Sequence, residues 1–253
     1  MKLFKRTSIF LLIFIALVWT AIIAFIKYPE NNIRVTDVEI KQTMMLLEKT
    51  NTKVPDKLLK RSVHAIYGAK AEKRFKSVDE AAEKIVGSGA AKSSDGTYIS
   101  GNMSMSEDNG SITVSGMLDG YTDKNSALSR AKKLVSAFGM SYDKMEAHVY
   151  DKSDDVIISL IPQFKGRNVF DCAIDITIAG NGAYKLKAKP MNFVKSKKML
   201  VKSPCSALAE LAGEDAANGL EIENMILGYK TKDGVLVPVW EFVASDGGLY
   251  YIE

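Results

Sequence analysis

The residues that could carry out nucleophilic or metal chemistry are few and far apart in this sequence. Its 253 residues include two cysteines, Cys172 and Cys205, and two histidines, His64 and His148. Zinc sites need closely spaced ligands, and a Cys/His hydrolase needs a histidine in a recognisable local signature. The sequence has neither pattern. We therefore predict that the chain is not an enzyme and has no catalytic, cofactor-binding or metal-binding residues. We expect His148 to lie on the surface of a strand.

Acidic pairs and glycine-rich stretches do not change this prediction. Pairs such as Asp154–Asp155 and Glu214–Asp215 lie in turn-like sequence, where neighbouring carboxylates are usually solvated. The stretch GSGAAKSSDG lacks both the preceding strand and the Gly-Lys-Ser/Thr order of a phosphate-binding loop. We interpret it as a turn.

An uncharged apolar segment near the N-terminus predicts a membrane anchor. Ser8–Ile26 reads SIFLLIFIALVWTAIIAFI, and at about 1.5 Å per residue a helix of this length approaches the roughly 30 Å hydrocarbon core of a bilayer. The alternative is a cleaved signal peptide, which has an apolar stretch of about 7–15 residues and an A-x-A-like cleavage site. Neither feature fits well, so we favour an uncleaved transmembrane helix over 8–26, preceded by a cytoplasmic N-terminus over 1–7.

The distribution of charge predicts the orientation of this anchor. Lys2, Lys5 and Arg6 precede the apolar segment, so the positive-inside rule keeps the N-terminus in the cytoplasm and places the rest outside. We therefore expect a single-pass cell-membrane protein that contacts the lipid bilayer. Of 34 Lys and Arg residues, these three and Lys27 flank the segment, which leaves 30 against 30 Asp and Glu. A neutral outer part argues against a nucleic-acid partner.

One face of the anchor carries small residues. Ala16, Thr20 and Ala24 recur at every fourth position, where the backbone of a second membrane helix can approach closely. They are candidate partner-binding residues. Because alanine is common in membrane helices, an anchor without a helical partner is an equally good interpretation.

The outer location leaves two states open for the cysteines. Oxidation to a disulfide is possible on the outer side of a membrane. However, Cys172 is in phase with Ile174 and Ile176 and should face a core, whereas Cys205 lies at a helix start where a thiolate can be stabilised. We favour two free thiols.

The remaining chain predicts an α+β fold in which helices precede antiparallel sheets. We expect helices from Thr36 to Glu48, from Pro55 to Gly68, from a Ser77/Glu80 capping box to Val86, from Asp123 to Phe138 and near Ser206 to Ala212. Alternating segments between and after them predict paired strands. The order of a short helix followed by strands recurs about three times. We place a domain boundary near Tyr142, giving extracytoplasmic α+β domains over 27–141 and 142–253.

The strand LVPVWEFV contains a second candidate partner site. Pro238 has no backbone N–H, so this strand is predicted to be an edge or to have a free donor side there, which would allow a partner strand to add. Trp240 is either a ligand-stacking aromatic or a core residue. We favour the core because Leu236 and Phe242 share its face.

The C-terminal stretch ILGYKTKDGVLVPVWEFVASDGGLYYIE resembles the end of YycI-like proteins and related PepSY-like domains. In these proteins a Gly-Tyr strand leads to a Val-Pro-x-Trp strand and a final Tyr-Tyr strand. The resemblance implies one membrane helix followed by tandem helix-plus-sheet units. It also implies an accessory regulator of a membrane sensor histidine kinase in a two-component system that controls cell-wall metabolism, acting with a YycH-like sister protein.

Two other functions remain open. One is a membrane-tethered extracytoplasmic binding module or protease inhibitor, which a defined ligand groove would favour. The other is an extracytoplasmic enzyme, which a cluster of Cys205 or His148 with acidic groups in a pocket would favour.

Overall fold

The computed structural model describes Val18 and residues 32–118, 126–140, 144–152, 154–214 and 217–253. The predicted anchor Ser8–Ile26, apart from Val18, lies outside these residues. Within the described residues, no helix has the length and apolar character needed to cross a bilayer.

Short helices alternate with strands along the described chain. The helices are Asp37–Lys49 (α1), Asp56–Leu59 (α2), Val78–Ile85 (α3), Ala127–Ala137 (α4) and Pro204–Ala212 (α5). The strands are Asn32–Ile33 (β1), Val63–His64 (β2), Ile66–Lys73 (β3), Ala91–Lys92 (β4), Tyr98–Ser100 (β5), Met103–Asp108 (β6), Ser111–Met117 (β7), Met145–Lys152 (β8), Asp155–Phe164 (β9), Arg167–Asn168 (β10), Ile174–Ile178 (β11), Ala183–Ala188 (β12), Met191–Met199 (β13), Ile222–Lys232 (β14), Val235–Ala244 (β15) and Leu249–Ile252 (β16).

The predicted caps start two of the helices. Thr36 Oγ1 accepts a hydrogen bond from the Glu39 amide at 3.2 Å, and the Glu39 carboxylate accepts one from the Thr36 amide at 3.3 Å. At α3, Ser77 Oγ accepts from the Glu80 amide at 3.1 Å. Each bond satisfies an amide that the first helical turn leaves without an intrahelical partner. Local sequence therefore determines where α1 and α3 begin.

The described chain divides into two compact units, and neither is continuous in sequence. The first unit contains the described residues up to Ile66 together with Lys198–Ile226 and Trp240–Glu253, and the second contains Tyr67–Lys197 and Leu227–Val239. These limits differ from the predicted boundary near Tyr142, which itself lies outside the described residues. Strands from both sides of that position, β7 and β12, pair with each other in the second unit.

The second unit is built on a nine-stranded sheet. Its strands follow the order β10-β9-β11-β12-β7-β6-β5-β4, and β8 also pairs with β9. Alternate β9 residues, including Val156, Ile158 and Leu160, are fully buried. They form one hydrophobic core with apolar residues of α3 and α4, such as Ala82 and Val135. Both helices therefore cover one face of the sheet, as expected for an antiparallel sheet with one solvated face.

A five-stranded sheet and a short ladder complete the topology. The sheet follows the order β13-β3-β15-β14, with β16 paired to β15, and β1 pairs with β2. In the first unit α1 packs on α5, where Thr43 Oγ1 donates to the Cys205 carbonyl at 3.4 Å. The mixed α+β class with antiparallel sheets is confirmed, and the order of helix then strands occurs at α3, α4 and α5.

The predicted helix from Pro55 to Gly68 is wrong. Helix α2 ends at Leu59, and the chain continues as β2 and β3. In β3, Ala69 pairs with Leu236 and both are fully buried, so sheet pairing with a strand far along the chain determines this conformation. β-branched and aromatic residues in this stretch suit a strand as well as an apolar helix face. Similarly, Phe170–Cys172 is a single 3₁₀ turn before β11 and not part of a strand.

Candidate interaction surfaces

Of the two partner sites predicted from the sequence, only Pro238 lies within the described residues. Ala16, Thr20 and Ala24 lie outside the described residues, so the anchor face stays a prediction. Pro238 lies within β15, which is flanked by β3 and β14 and is therefore not an edge strand.

The pairing of β15 changes partner around Pro238. Val235 and Leu236 pair with β3, and pairing with β16 begins at Trp240. Pro238 lies between these two paired stretches, where its missing N–H removes no hydrogen bond of either pairing. The addition of a partner strand at Pro238 stays a prediction.

The C-terminal motif of the sequence contributes residues to the core. The Gly-Tyr pair is one example: a Cβ atom added to Gly228 would lie 2.4 Å from the Phe170 ring, so only glycine fits there. Tyr229 is fully buried and donates its hydroxyl to the Tyr67 carbonyl at 2.8 Å. The tryptophan of the motif, Trp240, is 1% exposed, which confirms its predicted core role.

Both cysteines are free and fully buried. Burial, with a smaller contribution from the Asp171 carboxylate, raises the pKa of Cys172 to about 12. Burial also raises the pKa of Cys205. These thiols stay protonated at neutral pH, so neither is an activated nucleophile. The described residues also contain no group of three or more His, Cys, Asp or Glu side chains that could hold a metal ion.

His148 lies on the surface of β8, as predicted. Its Nε2 atom is 3.1 Å from the Glu146 carboxylate, and both side chains are about 40% exposed. The Glu146 carboxylate also accepts a hydrogen bond from the Asn168 amide at 2.6 Å. This is a polar contact on the solvated face of the sheet.

The solvated face of the nine-stranded sheet is polar. Strand registers align one residue from each of six neighbouring strands across it: His148, Ser159, Asp175, Lys187, Thr113 and Ser106. Ser159 donates to Asp175 at 2.7 Å. Strand β8 forms one edge of this sheet, and its Val149 and Tyr150 side chains are 49% and 56% exposed.

A cavity of about 460 Å³ lies beside the start of α3. Two of its charged lining residues, Asp79 and Lys92, contact each other. The Tyr98 hydroxyl donates to Asp79, and Lys92 Nζ lies 3.8 Å from Asp79 Oδ1 and 4.9 Å from the centre of the Tyr98 ring. Sequence reasoning missed this cavity because Asp79, Lys92 and Tyr98 come from three elements. Only the Ser77 cap marked the helix start.

Helix α1 exposes apolar side chains although its other side is packed. Thr43 and Leu47 are buried, whereas Val38 and Met45, one heptad apart, are 65% and 64% exposed. Ten residues separate the end of the predicted anchor from Asp37. Since an extended residue spans at most about 3.6 Å, α1 begins within about 40 Å of that anchor.

Comparison with known proteins gives a likeness of fold. No family model and no curated protein matches the sequence. Among solved structures, YycH from Bacillus subtilis matches 76% of this chain with a TM-score of 0.53 and 12% identity. This chain covers 54% of that YycH chain, about half its length. An uncharacterized protein from Eubacterium rectale (TM-score 0.40, 13% identity, 74% of this chain and 85% of that one) also matches. The C-terminal domain of Bacillus megaterium YpeB matches as well, with a TM-score of 0.36 and 10% identity over 72% of this chain and 99% of that domain.

The predicted resemblance is therefore supported at the level of a YycH-like fold. The more specific resemblance to YycI stays a prediction, because the matching solved structure is YycH.

Proposed function

We propose that this chain is a membrane-anchored accessory regulator that modulates a sensor histidine kinase of cell-wall homeostasis. Its fold likeness to YycH over 76% of the chain is the observation that carries this proposal. The sequence layout and the C-terminal resemblance to YycI-like proteins point to the same role. The partners are the kinase and a YycH-like sister protein, and the site of action is the cell membrane.

The proposed mechanism is mechanical and needs no catalysis. The anchor Ser8–Ile26 packs beside the membrane helices of the kinase through the face of Ala16, Thr20 and Ala24. Binding that favours one of two kinase conformations changes its output. A coupling free energy of about 1–3 kcal/mol gives a change of several-fold or more, which a single helix interface can supply.

The first outer helix is the element best placed to extend this contact. Helix α1 starts within about 40 Å of the anchor by chain length. Its Val38 and Met45 side chains are exposed, and its buried side is fixed to α5 through Thr43 and Cys205. A kinase segment next to the membrane can therefore contact α1 without disturbing the packing of the first unit.

A second candidate is a membrane-tethered binding module or protease inhibitor. The cavity of about 460 Å³ beside α3 favours it, although two of the charged residues that line it, Asp79 and Lys92, already contact each other.

In-membrane cross-linking separates the two candidates. The full-length tagged chain is cross-linked in native membranes, and co-purifying proteins are identified. The control replaces Ser8–Ile26 with an unrelated membrane helix of equal length. Recovery of a sensor histidine kinase that is lost on this replacement supports regulation. Recovery of only a protease or exported proteins, unchanged by the replacement, would reject it in favour of the binding module.

A further inference from the structure

Helix α1 is held in the first unit with little apolar burial. Of its thirteen residues, only Thr43 and Leu47 have buried side chains. A cavity of about 240 Å³ lies along its second half and is lined by Met44 and Leu47 of α1 and by Leu59 of α2. Elements with few buried apolar contacts open locally at a lower free energy than the whole domain. The docking of α1 on α5 therefore depends on polar contacts.

One carboxylate joins the N-terminal ends of α1 and α5. Glu39 Oε2 accepts a hydrogen bond from the Thr36 amide at 3.3 Å, as part of the α1 cap. Glu39 Oε1 accepts from the hydroxyl of Ser203, which is the N-cap of α5, and from the Ser206 hydroxyl at 3.5 Å. Hydrogen bonds to a charged group are about twice as strong as neutral ones. We call the contact of Glu39 with Ser203 and Ser206 the latch.

The opposite end of α1 is attached through the backbone. The Thr50 carbonyl accepts from the Gly219 amide at 2.8 Å. The Lys53 amide donates to the Leu220 carbonyl, and the Lys53 carbonyl accepts from the Ile222 amide, both at 2.8 Å. Before α1, by contrast, the β1–β2 ladder has only two residue pairs. Residues 50–53 are therefore the firm end of this helix, and the latch holds the other end.

Cys205 lies beneath α1 and can report on its position. Thr43 Oγ1 of α1 donates to the Cys205 carbonyl at 3.4 Å, and Cys205 Sγ donates to the Leu59 carbonyl of α2 at 3.5 Å. The side chain is fully buried. The other thiol, Cys172, is equally buried but belongs to the second unit. The chain thus carries a native reporter for α1 and a native reference away from it.

We propose that α1 is a releasable strap. When the latch opens, the N-terminal end of α1 leaves α5 and the helix turns about residues 50–53, which uncovers Cys205. The latched end is the one that leads to the predicted anchor, ten residues before Asp37, so a displacement of the anchor acts on it directly. This use of the strap in signalling rests on the proposed function, whereas the strap itself rests on contacts within the first unit.

Thiol modification of the full-length chain in detergent micelles tests the strap. The chain is treated with N-ethylmaleimide, and peptide mass spectrometry gives a separate rate for each cysteine. We expect Glu39→Ala to raise the rate at Cys205 at least tenfold over the native chain, because loss of the latch populates the released helix. The rate at Cys172 should stay unchanged.

Two further variants separate the latch from the helix cap, since Glu39→Ala also removes one bond of the α1 cap. Thr36→Ala removes the other bond of that cap and keeps the latch, so it should raise the Cys205 rate much less. Ser203→Ala opens the latch from the α5 side. Combined with Glu39→Ala, it should add less than about twofold to the larger single effect, because both changes remove the same contact.

Urea distinguishes release of α1 from unfolding of the chain. Release of one helix exposes little surface, and the dependence of a free energy on urea scales with the surface exposed. Below the unfolding transition, the Cys205 rate of Glu39→Ala should therefore depend weakly on urea. The Cys172 rate should rise steeply, because that thiol becomes accessible through a larger opening.

Three results would overturn the strap. One is a Cys205 rate in Glu39→Ala equal to that of the native chain. Another is a Cys205 rate that rises with urea as steeply as the Cys172 rate, which would assign it to unfolding. The third is a double variant whose increase is the product of the two single increases, which would show that Glu39 and Ser203 act independently. The labelling contains no kinase, so its failure leaves the regulatory function to its own test.

Discussion

Trp240 is the largest fully buried side chain of the described residues. Its indole N–H donates to the Lys202 carbonyl at 3.0 Å, so both its apolar ring and its polar atom are satisfied. Such a residue stabilises the fold through its packing and through its hydrogen bond, and both are lost when the side chain is truncated.

Replacing Trp240 with Ala should lower the free energy of unfolding by about 3–5 kcal/mol, the usual cost of such a cavity. Urea unfolding of the full chain in detergent measures it. The control Leu249→Ala, at a side chain that is 53% exposed, should change stability by no more than about 0.5 kcal/mol. If Trp240→Ala unfolds at the same urea concentration as the native chain, the core assignment is wrong.

The cysteines provide a pH-dependent prediction. The pKa of Cys172 is raised to about 12 from an ordinary value of 9.0, chiefly by burial. The folded state therefore favours the neutral thiol. Its stabilising contribution is complete below pH 9 and is lost as the pH rises towards 12. Burial raises the pKa of Tyr229 to about 12 as well, from 10.0, so it acts in the same direction.

We expect stability to fall between pH 9 and pH 12, and Cys172→Ala to make this fall shallower. At pH 8 a thiol reagent should modify neither cysteine in the folded chain and both in urea. Rapid modification of the folded chain, or a mass that reveals a disulfide after unfolding, would contradict the assignment of two buried free thiols.

Some of these residue roles follow from local sequence and others do not. Trp240 and the surface position of His148 were predictable because alternation assigns each a side of its strand. Cys172 is buried as predicted, although it lies in a 3₁₀ turn and not in a strand. The contacts of Asp171 were not. Its carboxylate accepts from the Thr231 amide at 3.0 Å and from the Thr231 hydroxyl, and these residues are 60 positions apart. A pairing of that separation leaves no local pattern.

At the scale of elements, helix starts are the most predictable feature. Thr36 and Ser77 cap α1 and α3 through bonds to residues three positions away. By contrast, Ile66–Lys73 has an apolar pattern that fits a helix or a strand, and its pairing with β15 selects the strand. Tertiary contacts override weak local preference there.

The anchor helix carries its own prediction. Replacing Ala16, Thr20 and Ala24 together with leucine should weaken cross-linking to the kinase, because larger side chains keep helix backbones apart. Insertion into the membrane should be unaffected, since leucine is more apolar. The matched control places leucine at Thr7, outside the apolar segment. Unchanged cross-linking of the triple variant would remove this face from the mechanism.

At the scale of the whole molecule, each compact unit combines segments from distant parts of the sequence. The second unit contains Tyr67–Lys197 and Leu227–Val239, so strands β14 and β15 contribute residues to both units. The sequence predicts the α+β class and, apart from the segment after Leu59, the order of helices and strands, because these follow from local periodicity. It does not predict which segments group together, because no linker rich in Pro or Gly marks the change.

The central claim is that an anchored chain with a YycH-like fold changes the output of a sensor kinase. The most direct measurement is the phosphorylation level of the kinase's response regulator in cells that lack the chain. Complementation uses either the native chain or the chain with an unrelated membrane helix in place of Ser8–Ile26. We predict a several-fold change on deletion, in either direction, that only the native chain reverses. An unchanged level, or equal reversal by both chains, would contradict regulation through the membrane helix.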